Sequence, residues 1–249
     1  ARQADGWQRL EIDRQEDTFV HEIELGDVDR DGRQEIFATP SEPNRVDGTP
    51  QPGWVMRYDH TEDGYTAVEV LRLPTRHMKE ILVGDAEQDG TLELYASIEA
   101  TLSSKQGQPT PDEQLEIRRY DPEETSADPQ LVATLDDKQC RFLHLGDLDG
   151  DGTKEMIATA YRSGIWMLEP GEAAWRPTLV DADSSGYEHA STLADLDGDG
   201  LVELYVAADD QGQLRRYVWN GEDFDREEIV PITKGDITFG VAAWPEPPM

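Results

Sequence analysis

The chain has 249 residues, with 54 acids against 22 bases and a formal net charge of −32. That length can bury a sizeable core as one all-β domain or as two smaller units, and the charge argues against nucleic acid or an anionic membrane surface as a partner. No apolar run approaches the ~20 residues of a spanning helix, so no membrane insertion is expected, and a single cysteine, Cys140, excludes an intramolecular disulfide.

Only five of the 22 bases are lysine. An acidic, lysine-poor surface fits a saline or extracellular setting. Cys140 lies in an apolar run and reads as a buried structural thiol rather than a reactive one. The chain begins ARQADG, without Met or a hydrophobic signal region, so a processed or trimmed N-terminus is expected.

In chain order, the opening DGWQRLEI (Asp5 to Ile12) matches the later DGYTAVEV (Asp63 to Val70). A nine-residue phrase then occurs four times: DVDRDGRQE at 27–35, DAEQDGTLE at 85–93, DLDGDGTKE at 147–155 and DLDGDGLVE at 195–203. The intervals of 58, 62 and 48 residues signal a propeller or solenoid. An apolar run enters each phrase (HEIELG, KEILVG, RFLHLG, HASTLA) and another leaves it (EIFATP, ELYASI, EMIATAY, ELYVAAD). A third run carries aromatic and Arg residues (WVMRYD, IRRYD, GIWMLE, LRRYVW). A fourth opens on an aromatic residue with an apolar one five positions later: Tyr65 with Val70, Trp175 with Val180, Phe224 with Ile229. These runs alternate with period two, and Gly, Pro, Asp and Asn punctuate them. Four-stranded antiparallel units at this spacing make a β-propeller, whose radial repetition protects the sheet edges. DITFGVAAW (Asp236 to Trp244) matches a first strand that has lost its loop. A five-bladed ring whose reduced fifth blade comes from the two termini is the first choice, and an incomplete ring the runner-up.

Each phrase offers oxygens to a hard cation. In the first copy they are Asp27, Asp29, Asp31, the carbonyl of Arg33, and Glu35. In the second they are Asp85, Glu87, Asp89, the carbonyl of Thr91, and Glu93. The third offers Asp147, Asp149, Asp151, the carbonyl of Thr153, and Glu155; the fourth offers Asp195, Asp197, Asp199, the carbonyl of Leu201, and Glu203. Ca²⁺ takes six to eight oxygens, and the Gly at position 6 permits the sharp turn that gathers them. One such nonapeptide in so acidic a chain reads as a plain turn. Four copies, each crowding acids that repel one another unless a cation sits among them, point to up to four Ca²⁺ ions. Glu87, longer than the Asp at the same place in the other copies, marks the second site as the weakest. Eight added positive charges would still leave −24, so metal alone does not explain the acidity.

The four phrases resemble FG-GAP/VCBS repeats, the units of the integrin α-subunit propeller and of many bacterial exported proteins. The likeness covers nearly the whole chain. Family loops usually end in Asp where these end in Glu, and FG itself survives only at Phe239-Gly240. The resemblance implies one calcium-binding propeller domain over residues 1–249. Millimolar calcium outside cells would keep such loops filled, so a secreted, periplasmic or cell-surface location is expected.

Six residues before each leading Asp stand His21, Lys79, Arg141 and His189. At roughly 3.3 Å per residue they lie about 20 Å from the metal loops, at the opposite mouth of the ring. That face also receives Tyr161, Arg162 and Tyr187 and the insertions at 41–53 and 99–114, and long loops on a rigid scaffold are where recognition resides. Two functions follow. The favoured one is a binding module for an anionic glycan or acidic protein segment. The alternative is a polysaccharide lyase acting on uronic-acid chains, with Arg141, Arg162 or Lys79 neutralising the sugar carboxylate while His21 or His189 and Tyr161 or Tyr187 exchange protons. No Ser-His-Asp order, CxxC, HExxH or phosphate loop occurs.

Overall fold

The computed structural model describes residues 2–3, 6–7, 9–43, 45, 49–105, 108–123, 129–171 and 174–243. Sixteen strands form four antiparallel sheets of four. Blade 1 holds β3 (Phe19–Gly26), β4 (Glu35–Ser41), β5 (Gly53–Thr61) and β6 (Gly64–Leu73); blade 2 holds β7 (Met78–Gly84), β8 (Glu93–Ile98), β11 (Leu115–Tyr120) and β12 (Gln130–Leu135). Blade 3 holds β13 (Cys140–Gly146), β14 (Glu155–Ala160), β15 (Ile165–Glu169) and β16 (Arg176–Asp181); blade 4 holds β17 (Ser191–Ala194), β18 (Glu203–Ala208), β19 (Gln213–Trp219) and β20 (Phe224–Pro231). Two short pairs stand apart, β1 (Arg2–Gln3) with β2 (Gly6–Trp7) and β9 (Thr101–Lys105) with β10 (Gln108–Glu113).

The strand sequences explain their places. The second strands β8, β14 and β18 are buried along their whole length. They run as near-continuous apolar stretches because each has a strand on both edges and a neighbouring blade across its face. The outermost β16 and β20 are largely exposed and correspondingly polar. Cys140 is buried and free, as its apolar surroundings led us to expect.

First strands line the inside and stack in sequence, β3 against β7, β7 against β13, and β13 against β17. A glycine ends each of the first three, and the next blade approaches it closely. A Cβ on Gly26 would lie 2.6 Å from Val83, one on Gly84 2.6 Å from Leu145, and one on Gly146 2.8 Å from Leu193. Polar links cross the same joints. Thr39 Oγ1 donates to the Lys79 carbonyl at 2.8 Å, Ser97 Oγ to the Cys140 carbonyl at 3.1 Å, and the Leu143 amide to Glu80 Oε1 at 2.8 Å.

The sequence reading missed β12, which lacks the aromatic opening of the other fourth strands. It read 99–114 as a loop, whereas the backbone there pairs as β9 and β10; the side chains of residues 102–112 lie outside those described. The expected fifth blade does not form among the described residues. β2 pairs with β1, residues 9–16 are not in a strand, and neither are residues 232–243; Asp5, Gln8 and Trp244 lie outside the described residues. The segment 236–243 packs beside blade 4. The Thr238 amide and hydroxyl bond to Asp209 at 2.8 and 2.7 Å, and Val241 reaches the central cavity. No described helix is long and apolar enough to cross a membrane.

Candidate metal loops and ligand face

All four acidic loops share one hydrogen-bonded frame. The Asp at position 1 accepts the amide of the Gly at position 6: Asp27 from Gly32 at 3.0 Å, Asp85 from Gly90 at 2.9 Å, Asp147 from Gly152 and Asp195 from Gly200, each at 3.1 Å. The Asp at position 5 accepts the amide at position 7, so Asp31, Asp89, Asp151 and Asp199 hold Arg33, Thr91, Thr153 and Leu201 at 2.7–2.9 Å. The closing Glu turns one oxygen back to the amide at position 2: Glu35 to Val28, Glu93 to Ala86, Glu155 to Leu148 and Glu203 to Leu196. Its longer side chain thus fastens the loop while leaving the other oxygen for a second partner.

Position 6 glycines lie in the left-handed region, with φ between 84° and 98°. Position 4 does too. Glycine meets that demand at 150 and 198, but Arg30 (φ 60°) and Gln88 (φ 55°) meet it with a side chain attached. A left-handed L-residue costs roughly 1–2 kcal/mol, partly offset by glycine's roughly 0.5–1 kcal/mol of extra chain entropy. Gln88→Gly is therefore expected to raise stability by about 0.5–1 kcal/mol, read as a higher urea midpoint, and an unchanged midpoint would refute the strain.

Three loops gather oxygens closely enough for one ion. Ligand atoms of Asp27, Asp29 and Asp31, of Asp147, Asp149 and Glu155, and of Asp195, Asp197, Asp199 and Glu203 each fall within 4.8 Å of one another. Asp27 Oδ1 is buried without a hydrogen-bond donor. All-oxygen, all-carboxylate donors fit a hard divalent cation. The second loop forms no such group among the described residues. There the Asp89 amide turns to Asp85 at 3.1 Å, whereas position 3 receives the equivalent amide in the other three loops, and Glu87 pairs with Arg119.

Arg119 and Arg216 are loop partners that the sequence reading missed. Opposite the residue two beyond the closing Glu stand Arg57, Arg119, Met167 and Arg216, paired across the sheet with Phe37, Tyr95, Ile157 and Tyr205. Arg216 reaches both Asp197 and Glu203, the latter at 2.8 Å. Arg119 holds Glu87 and lies 4.0 Å from Glu93. Arg57 turns instead to Asp59 at 2.7 Å. Among the described residues, blades 2 and 4 therefore have a third-strand arginine paired with loop carboxylates, and blades 1 and 3 have none. The sequence signal is the match of ELY with a following RRY, absent from the other two repeats. In blade 3, burial first, then Asp149, Asp147 and Asp151, push Glu155 up to about 7.

At the other ends of the first strands, the ring of four expected there is only partly assembled. His21, Lys79 and Arg141 sit within one electrostatic cluster with His77. His189 is elsewhere: fully buried at φ 55°, it bonds Ser184 Oγ at 2.8 Å and the Ala160 carbonyl at 2.7 Å, a structural role. Lys79 and Arg141 were expected as mouth cations, yet each is only 3% exposed. Arg141 lies 2.7 Å from Glu99 and 3.9 Å from Glu188, two partners the sequence did not reveal. Burial first, then Arg141 and Lys79, hold His21 down at about 4, and burial lowers Lys79 to about 8.

Gln139 joins this network to the surface. Its amide nitrogen donates to the Tyr187 carbonyl at 2.9 Å, and its carbonyl oxygen faces Arg141 at 3.4 Å. Tyr161 and Tyr187 meet edge to face at 6.0 Å. The exposed Arg162 guanidinium lies 4.7 Å over the Tyr161 ring and bonds its hydroxyl at 3.0 Å. Between the two mouths, a cavity of about 440 Å³ is lined by Glu22, Glu24, Glu80, His144, Ser191 and Val241, among others. Burial first, then Glu22, raises Glu24 to about 7, and burial raises Glu80 well above its ordinary value.

Fold and loops together define the class: an all-β chain of propeller-like four-stranded blades with acidic clusters able to hold metal. No family model matches the chain, and no curated protein matches it in sequence. Among solved structures it is similar to an exotype rhamnogalacturonan lyase, YesX, with a TM-score of 0.51 at 14% identity over 86% of this chain. The chain spans 41% of that lyase chain. The likeness concerns the fold.

Proposed function

We propose that the chain is a calcium-stabilised propeller of FG-GAP/VCBS-like blades, exported from the cell, that binds an anionic glycan or acidic protein segment on the face opposite its acidic loops. The observation that carries this reading is the convergence of carboxylate oxygens within 4.8 Å in three of the four loops, the first, third and fourth. Calcium there would neutralise the loops and fix the turns between first and second strands, which holds the opposite mouth in one geometry. At that mouth Lys79 and Arg141 face Glu99 and Glu188, so the accessible recognition chemistry is the Tyr161–Tyr187 pair with Arg162. Two aromatic rings and an exposed guanidinium suit a sugar ring carrying a carboxylate.

Retention on an immobilised uronic-acid polysaccharide in calcium tests it. Tyr187→Ala and Arg162→Ala are each expected to weaken binding about ten-fold, roughly 1.4 kcal/mol, with melting unchanged. No retention on any acidic glycan or acidic peptide column would sink the reading.

A polysaccharide lyase is the second reading, favoured by one observation. His21 is held neutral beside Lys79 and Arg141, and its Nδ1 is buried without a partner. A neutral imidazole can take a proton next to a sugar carboxylate while the cations steady the charge that develops. Incubation with uronic-acid chains, rhamnogalacturonan included, and absorbance of the unsaturated product decides between them. Product formation abolished by His21→Ala would establish the enzyme.

A further inference from the structure

The four blades provide an internal control on each other. Four residues before the leading Asp, Ile81 and Leu143 are 0% and 3% exposed, whereas Ile23 is 56% exposed. Seven residues before it, Met78 and Cys140 are buried, but Val20 is 50% exposed. Two residues before it stand the apolar knobs that press on the glycine of the preceding blade: Val83, Leu145 and Leu193 are partly covered, and Leu25 is 51% exposed. The same apolar positions are thus covered in the later blades, where the preceding blade packs on them, and open in blade 1, where no described blade does.

The opposite flank shows the complementary defect. At position 2 of the loop, Val28, Ala86 and Leu148 are buried beneath the following blade, and Leu196 is 56% exposed. The 236–243 segment is tied to that flank at its mouth end through Thr238 and leaves Leu196 open at the loop end.

We propose that the chain associates head to tail with a second copy, the leading flank of blade 1 (Val20, Ile23, Leu25) seating on the trailing flank of blade 4 (Leu196) of its partner. The three joints inside the molecule show what covers each of these surfaces, and among the described residues blade 1 and blade 4 each present one unused half of such a joint. Such a heterologous contact uses two different patches, so two copies can close on each other through two equivalent joints. Ala194 stands where the internal joints have glycine, which makes the intermolecular joint wider and easier to separate on dilution. Self-repulsion of two chains at −32 each opposes it, so calcium and moderate salt favour it.

Sedimentation velocity of the full chain in calcium, over a range of concentrations, is the test. The expected result is a reversible species of twice the 28.0 kDa chain. Ile23→Lys with Leu25→Glu, and separately Leu196→Glu, are each expected to raise the dissociation constant at least ten-fold with unchanged circular dichroism, since all three side chains are already exposed. Mixing the two variants restores one intact joint and therefore a heterodimer. A contact made between two like patches gives no such rescue. A wild-type chain that stays monomeric at every concentration overturns the proposal and assigns cover of both flanks to the chain's own ends. A dimer indifferent to both variants overturns it equally.

Discussion

Calcium titrated into the metal-stripped chain is expected to raise its melting temperature steeply and saturably. Each filled loop contributes about 2.7 kcal/mol when free calcium is a hundredfold above its dissociation constant. Three such loops reach roughly 8 kcal/mol, which in a chain of this size is roughly 15–30 °C. The loops should not contribute equally. The third has Met167 where the second and fourth have Arg119 and Arg216, so among the described residues no third-strand arginine pairs with Asp147, Asp149 or Glu155, and this loop should depend most on metal. Asp149→Ala is expected to remove about 2–3 kcal/mol of the calcium-dependent stability, and Glu87→Ala very little. Arg216→Met should lower the metal-free melting point and steepen the calcium response, since Asp197 and Glu203 lose their internal cation. Identical melting curves in calcium and in chelator would remove the basis for every one of these expectations.

The metal-free chain also has a defined pH response. Glu24 and Glu155 titrate near 7 in the fold, against the ordinary carboxylate range when unfolded. A raised carboxyl pKa means that the folded state holds a proton the unfolded chain has released. Stability through these two groups is therefore greatest at low pH and is lost as pH rises through about 7. Burial holds His21, His144 and His189 down at about 4, which gives the opposite slope below about pH 6.5, so the test is differential. Between pH 5 and pH 8 in chelator the melting point of the wild type should fall relative to that of Glu24→Gln with Glu155→Gln, and calcium should reduce the part contributed by Glu155 by replacing the proton.

Arg141→Met is expected to cost about 3–5 kcal/mol, because it strands Glu99 and Glu188 without their cation in a buried site. That makes Arg141 a structural residue first. The double change Arg141→Met with Glu99→Gln should recover a large share of the loss, as an apolar and a neutral side chain replace a separated pair. Denaturant unfolding of both variants checks it, and a loss under about 0.5 kcal/mol for the single change would show that the network does not hold the mouth together.

Much of this molecule was legible in its residues. The four loops, the strands on either side of them and fifteen of the sixteen blade strands follow from period-two alternation and turn chemistry, which act over fewer than ten residues. Glu87 announced its departure by one methylene, and the altered Asp89 amide bond is its local consequence. The missing strand, β12, had no aromatic marker.

Contacts across strands and blades were not legible, because they depend on register and on which sheets become neighbours. Arg216 meets Asp197 from 19 residues away and Arg141 meets Glu99 from 42. Both pairings turn apparently free charges into satisfied ones. His189 repeats the position of His21, Lys79 and Arg141 in sequence, yet a left-handed backbone and the Ala160 carbonyl draw it inward. The sequence by itself determined where acid-rich turns recur and what chemistry they offer. Only the tertiary structure decided which of those acids the protein neutralises itself and which flanks of the blade array stay open, since both depend on neighbours that the local pattern does not encode.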